Sequence, residues 1–253
     1  MPRVHVNDIT MYYEIFGEGE PLLVIQGMGV DISSVAQMNK RLGEKYRVIV
    51  FDSRGTGRTD KPDIPYSIEM MVGDTLGLMD TLGIRKAHVL GISMGSMIAV
   101  ALAADHPERV KGLVLHVAFH RVAFLMKTIW SIMWSTDAGR KKMMAMSDFI
   151  FRQQYPPTPE SFFRQGQAPL PFDGRDLLPL IKAPTLIING THDQAVPMKI
   201  TRELAAGIPG AKLVLIEGDH LFAAKEPDLL LKPALAFLGE VDAKPEKIEV
   251  DKP

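Results

Sequence analysis

Apolar residues recur along this chain in two alternating rhythms. Short runs rich in Val, Ile and Leu occupy Leu22–Gln26, Tyr46–Phe51, His88–Ile92 and Gly112–Val117. Between them lie Ser33–Leu42, Ser67–Leu82 and Met94–His106, where apolar positions return every three or four residues. The first kind of run reads as strand and the second as helix. Nearer the start, Val4–Val6 and Ile9–Phe16 read as strands joined at the polar pair Asn7-Asp8. Such alternation predicts a mostly parallel central sheet with helices on both faces, an α/β fold. The unbroken apolar run VIVF before Asp52 suits a strand covered on both sides.

The alternation stops near residue 118. Helical spacing returns in FLMKTIWSIMW, where Met126, Ile129, Trp130, Met133 and Trp134 share a face. A second helix is expected over Arg140–Gln154, opening after Ser135-Thr136-Asp137, and YPPTP (Tyr155–Pro159) reads as a break. The core pattern then resumes with the strand APTLIING, a helix over Pro197–Ala206, the strand KLVLIE and a final helix over Leu221–Leu238. The expected division is an α/β core at residues 1–117 and 179–239, an inserted helical cap at 118–178, and a charged, flexible tail at 240–253.

Bulk composition narrows the partners. Lys and Arg number 29 against 30 Asp and Glu, a net charge of −1, which favours neither nucleic acid nor an anionic membrane as partner. The absence of Cys excludes disulfides, a thiolate nucleophile and thiolate metal sites. The N-terminal stretch has no apolar signal core, and no apolar run reaches the roughly 18 residues of a membrane span. A cytoplasmic protein without a membrane segment is expected, and monomer and homodimer stay open.

One stretch then asks for chemistry. In VLGISMGSM (Val89–Met97), Ser93 stands between Gly91 and Gly95, after a strand and before a helix. A serine at such a turn projects above the carboxyl edge of the sheet, at a helix N-terminus that favours negative charge. Alone it is a weak nucleophile and needs a base oriented by an acid. Of the seven histidines, His5, His88 and His106 have ready structural roles. His220 follows the strand KLVLIE, at another carboxyl strand end, and Asp193 follows TLIIN at a third. The order Ser93, Asp193, His220 is nucleophile, acid, base. Asp219 is a weaker candidate for the acid, since neighbouring side chains rarely face each other. His192 reads as a loop residue, and His116 and His120 lie where the core enters the cap.

The chain resembles the α/β-hydrolases over nearly all of residues 1–239. The likeness rests on VIQGMG (Val24–Gly29), FDSRGTGRT (Phe51–Thr59), GISMG (Gly91–Gly95), GTHDQAVP (Gly190–Pro197) and GDH (Gly218–His220). Small-cap carboxylesterases and 3-oxoadipate enol-lactonase-like enzymes are the nearest types. The resemblance implies an oxyanion hole from the amides of Met28 and Met94, although Gln26-Gly27 stands where His-Gly is usual. It implies a small-molecule carboxylic ester or lactone as substrate, with no metal and no organic cofactor, and the Met and aromatic stripe of the cap suggests that the substrate is apolar. Gln26, Gly27, His120, Trp130, Trp134 and Leu221 are the candidate pocket residues. Asp52 and Arg54 read as structural, holding loops by charge-assisted hydrogen bonds. The same fold also hosts C–C bond and thioester hydrolysis, acyl transfer, and ligand receptors without turnover.

Overall fold

The structure is a computed structural model and describes residues 2–244. Its strands are β1 (Arg3–Val6), β2 (Ile9–Phe16), β3 (Pro21–Ile25), β4 (Arg47–Phe51), β5 (Ala87–Ile92), β6 (Val110–His116), β7 (Thr185–Gly190) and β8 (Lys212–Ile216). They form one sheet in the order β1-β2-β4-β3-β5-β6-β7-β8. The β1–β2 hairpin turns at Asn7, whose φ of 53° is tolerated by Asn. β2 runs antiparallel to β4, and every pair from β4 through β8 is parallel.

The two-residue side-chain period of a strand sorts each apolar run into two layers. Leu23, Ile25, Ile49, Val89, Leu113, Leu115 and Ile187 face one way and pack on helices α2 (Ile68–Thr81), α3 (Met94–Asp105) and α8 (Met198–Gly207). Leu22, Val24, Val48, Val50, Leu90, Val114 and Ile188 face the other way, toward α1 (Ala36–Leu42) and α10 (Asp228–Asp242). Central strands that must be apolar on both faces explain the continuous runs. α3 is itself buried along Met94–Ala104, which explains why its sequence MGSMIAVALAA carries no polar face.

Between β6 and β7 the chain forms α4 (Phe124–Ser135), α5 (Asp137–Met146), α6 (Asp148–Phe151) and α7 (Pro159–Gln167). A single bridge between Arg121 and Asp173 ties the two ends of this insertion together. Trp134, Ile150, Phe162 and Phe163 form an apolar cluster of their own, on which Met28 and Val30 of the core also pack.

Four expectations need correction. Ser33 and Ser34 lie in a 3₁₀ turn (Ile32–Val35) before α1, because the Asp31 carboxylate accepts the Ser34 N–H (2.9 Å) and both serine hydroxyls. The helix expected over Arg140–Gln154 starts earlier, at Asp137 with Thr136 as its cap, and breaks at Ser147. The YPPTP stretch does more than interrupt: Thr158 caps α7 by accepting the Ser161 N–H, and Pro159 takes the first helical position. The final helix divides before Pro227 into α9 (Phe222–Lys225) and α10, since Glu226 is held out of the helical region (φ −136°, ψ 83°) by the proline that follows.

The expected tail also begins later than residue 240. Gly239–Asp242 belong to α10, and the Asp242 carboxylate accepts hydrogen bonds from Tyr46 Oη and His88 Nε2, each at 2.9 Å. The rest of that tail, residues 245–253, lies outside the described residues. No helix among the described residues is long and apolar enough to cross a membrane.

Candidate active site

Ser93 sits at the turn from β5 into α3 with φ 53° and ψ −119°. A non-glycine residue there costs on the order of 1–3 kcal/mol and persists only where its surroundings hold it. The Ser93 N–H donates to His116 O (3.0 Å), and the Ser93 carbonyl accepts both the N–H (2.9 Å) and the hydroxyl (2.5 Å) of Ser96. The flanking glycines are required by close approach. A Cβ on Gly95 would lie 2.2 Å from Ile25 O, and one on Gly91 would lie 2.7 Å from Ala99 Cβ.

The structure brings Asp193 and His220 to this turn. Ser93 Oγ lies 3.0 Å from His220 Nε2, and His220 Nδ1 lies 2.8 Å from Asp193 Oδ2. The other Asp193 oxygen accepts the N–H groups of Ala195 and Val196, each at 2.8 Å, so both oxygens of the buried carboxylate are committed. A carboxylate only accepts, which places the His220 proton on Nδ1 and leaves the Nε2 lone pair for the Ser93 hydroxyl. The acid and base loops lock together through His192 N–H on Gly218 O (2.9 Å). Asp219 points elsewhere: it accepts the Leu221 N–H (2.9 Å) and pairs with Lys225, so it does not orient His220.

The loop after β3 also approaches Ser93. A Cβ on Gly27 would lie 3.4 Å from Ser93 Cβ and 3.9 Å from Oγ, so the backbone of this loop reaches the hydroxyl. The amide of Met28 has no acceptor among the described residues, and neither has that of Met94, the first residue of α3. Gln26 is buried behind them with its Nε2 unpaired.

The remaining pocket candidates separate. Trp130 meets Phe119 edge-on (6.4 Å) and, with Arg121, Val122, Ala195, Pro197 and Ile200, lines a small recess next to the acid loop. Trp134 lies deeper than Trp130. It is only 2% exposed, packed between Phe162 and Phe163 and against Gly166, inside the insertion. Leu221 is partly exposed beside His220. His120 is fully buried with neither ring nitrogen hydrogen-bonded.

His120 and His116 carry a stability consequence. Burial pushes His116 down to about 3, helped by the nearby His220, and pushes His120 down to about 4, helped by Arg121. Both fall below the ordinary 6.5, so the unfolded chain takes up protons first as pH drops. Stability present above pH 6.5 should therefore be lost from there down toward pH 3, by about 2 kcal/mol per imidazole at pH 5. Urea midpoints at pH 7.5 and pH 5 read this directly, and the drop should shrink in His120→Leu. Equal midpoints would mean the two rings are hydrated.

The α/β-hydrolase fold family model matches residues 20–152, more than half of the chain. The chain belongs to the α/β-hydrolase family. A putative carbamate hydrolase, RutD, of Azorhizobium caulinodans is 30% identical, with 96% of this chain and 100% of that protein covered. The enol-lactonase from Burkholderia xenovorans LB400 is 30% identical with a TM-score of 0.81, covering 94% of this chain and 100% of that one. A meta-cleavage product hydrolase from Pseudomonas fluorescens IP01 is 25% identical with a TM-score of 0.77, over 95% and 98% of the two chains.

Two residues of this α/β hydrolase that its sequence patterns do not single out bear on the site. Gln165 of α7 accepts the Gly29 N–H at 2.9 Å and donates to Arg54 O (2.5 Å) and Thr56 Oγ1 (2.8 Å). Gln153, just after α6, donates to Gly29 O (2.9 Å) and accepts the Asp31 N–H (2.8 Å). The one legible signal was Thr158-Pro159-Glu160, a helix start that would have placed Gln165 on α7. Arg54 has the structural role expected of it, bridging Asp8 and Asp74 with two hydrogen bonds to each.

Proposed function

We propose that this α/β hydrolase cleaves carboxylic esters or lactones through an acyl-enzyme on Ser93. The observation that carries the reading is the hydrogen-bonded chain Ser93–His220–Asp193, set beside two amides with no acceptor among the described residues. Ser93 Oγ attacks the carbonyl carbon and its proton passes to His220 Nε2. Asp193 stabilises the resulting imidazolium while the Met28 and Met94 amides take the oxyanion. Collapse breaks the bond to the leaving oxygen, which receives the His220 proton; in a lactone that alcohol stays tethered to the acyl group. Water then attacks the acyl carbon, with His220 again the base, and releases Ser93.

The likeness to an enol-lactonase supports lactones. A second reading, carbamate cleavage, is favoured by the full-length likeness to RutD, and uses the same attack on a carbonyl carbon. A fluorophosphonate probe followed by peptide mapping should give a single adduct, on Ser93. Panels of p-nitrophenyl esters, lactones and carbamates then rank the substrates. A folded protein that takes no adduct would remove the nucleophile and leave a ligand receptor as the better reading.

A further inference from the structure

The hydrogen bond from Val30 N–H to Gly27 O (3.3 Å) closes a tight turn over Gly27-Met28-Gly29-Val30, with Gly29 at φ 73° in its third position. A left-handed third residue is what a type II turn requires. The middle peptide of such a turn, between Met28 and Gly29, is the part that can flip, and the Met28 amide stands directly before it. Here both polar groups of Gly29 are taken by side chains of the insertion: its N–H by Gln165 and its C=O by Gln153.

Neither glutamine has a free choice of orientation. The Gly29 N–H can only donate, so Gln165 must present Oε1 to it, which turns Nε2 to Arg54 O. The Asp31 N–H likewise fixes Oε1 of Gln153, which turns Nε2 to Gly29 O. Gln165 is fully buried, and its oxygen and its amino group are both engaged. On the same loop, Asp31 Oδ2 accepts the Tyr155 N–H (2.9 Å). Space is equally committed, since a Cβ on Gly29 would lie 2.7 Å from Ile150 Cγ2 and 3.0 Å from Phe162 Cε2.

We infer that Gln165 and Gln153 are positioning residues that hold the Met28 amide in its oxyanion-binding pose, so that the inserted helices, and not the core alone, complete the oxyanion hole. The inference rests on the acyl-enzyme reading above. Losing the clamp leaves the nucleophile, base and acid in place but lets the donor wander, and misplacement on the scale of an ångström costs about 10²-fold. Gln165→Met keeps side-chain length without the amide. It should lower kcat by about 10- to 100-fold on p-nitrophenyl butyrate, with KM within about threefold. The Ki of a trifluoromethyl ketone, whose Ser93 adduct carries an oxyanion, should rise by the same factor as kcat falls. Gln153→Met should fall on the same line. A role in folding alone would lower the active fraction and leave that Ki unchanged.

Amide hydrogen exchange of the unmutated protein gives a reading that survives a variant that does not fold. Gly29 should be protected, and the Met28 and Met94 amides should become protected only in the fluorophosphonate adduct. A folded Gln165→Met with wild-type kcat and Ki, or a Gly29 amide exchanging as a free one, would overturn the clamp while leaving ester hydrolysis standing. A wild type with neither adduct nor turnover would sink the hydrolase reading itself.

Discussion

Ser93→Ala is expected to lower kcat on an activated ester by about 10⁶, the scale of nucleophile loss in comparable triads. At about 1.4 kcal/mol per tenfold this is roughly 8 kcal/mol of transition-state stabilisation. The fold should be indifferent. The Ser93 hydroxyl caps no helix amide, and its hydrogen bond is to His220 Nε2. What holds the strained turn is backbone, from His116 O and Ser96, and alanine keeps it. The melting temperature should therefore stay within about 2 °C while turnover collapses. Loss of both together would mean that the substitution had damaged the fold. A folded variant within about tenfold of wild type would take Ser93 out of the chemistry.

That Ser93 was legible in the sequence as the candidate nucleophile follows from how local the requirements of its turn are. Gly91, Ser93 and Gly95 act across one turn, between elements whose own periodicity is clear, and the contacts that the two glycines permit by lacking Cβ are with adjacent β3 and α3. The central strands were legible for a similar reason. β3 to β7 are covered on both faces, so their middles are apolar and polar residues such as Arg47, His88, Lys111 and Thr185 sit toward their ends. Asp193 and His220 needed one further step, the knowledge that parallel strands bring their carboxyl ends together. The order along the chain then did the rest.

The insertion was harder to read because its helices are short and their ends are set by single residues. Thr136 and Thr158 act as caps that many serines and threonines of this chain could have matched equally well. Trp134 shows the limit of periodicity. It shares a helix face with Trp130, yet Phe162 and Phe163, about thirty residues on, close over it and leave Trp130 at the recess. Beyond the helix start at Thr158-Pro159, no pattern pointed to Gln153 or Gln165. Their partners, Gly29 and Arg54, are more than 100 residues away, and a polar residue on a helix is by default a solvated one. Only the folded chain shows that these two are not.

Asp193→Asn tests the remaining role, and its hydrogen bonds dictate the outcome. Two backbone donors, Ala195 and Val196, point at Oδ1 and require an oxygen there. An asparagine must therefore keep its oxygen on that side and turn its amino group toward His220. The amino group donates, so His220 Nδ1 has to accept, and the ring proton moves to Nε2. Nε2 then faces Ser93 Oγ as a donor and cannot take its proton. Activity near neutral pH should fall by about 10⁴, the size of the same exchange in other triads, with the buried loop intact. Asp219→Asn is the control: its carboxylate is exposed, its partners are the Leu221 amide and Lys225, and an asparagine oxygen still caps that amide. It should stay within about threefold of wild type, as exposed ion pairs contribute little. If Asp219→Asn were instead the damaging change and Asp193→Asn the mild one, the acid would have to be reassigned. The 2.8 Å contact between Asp193 and His220 would then be structural only.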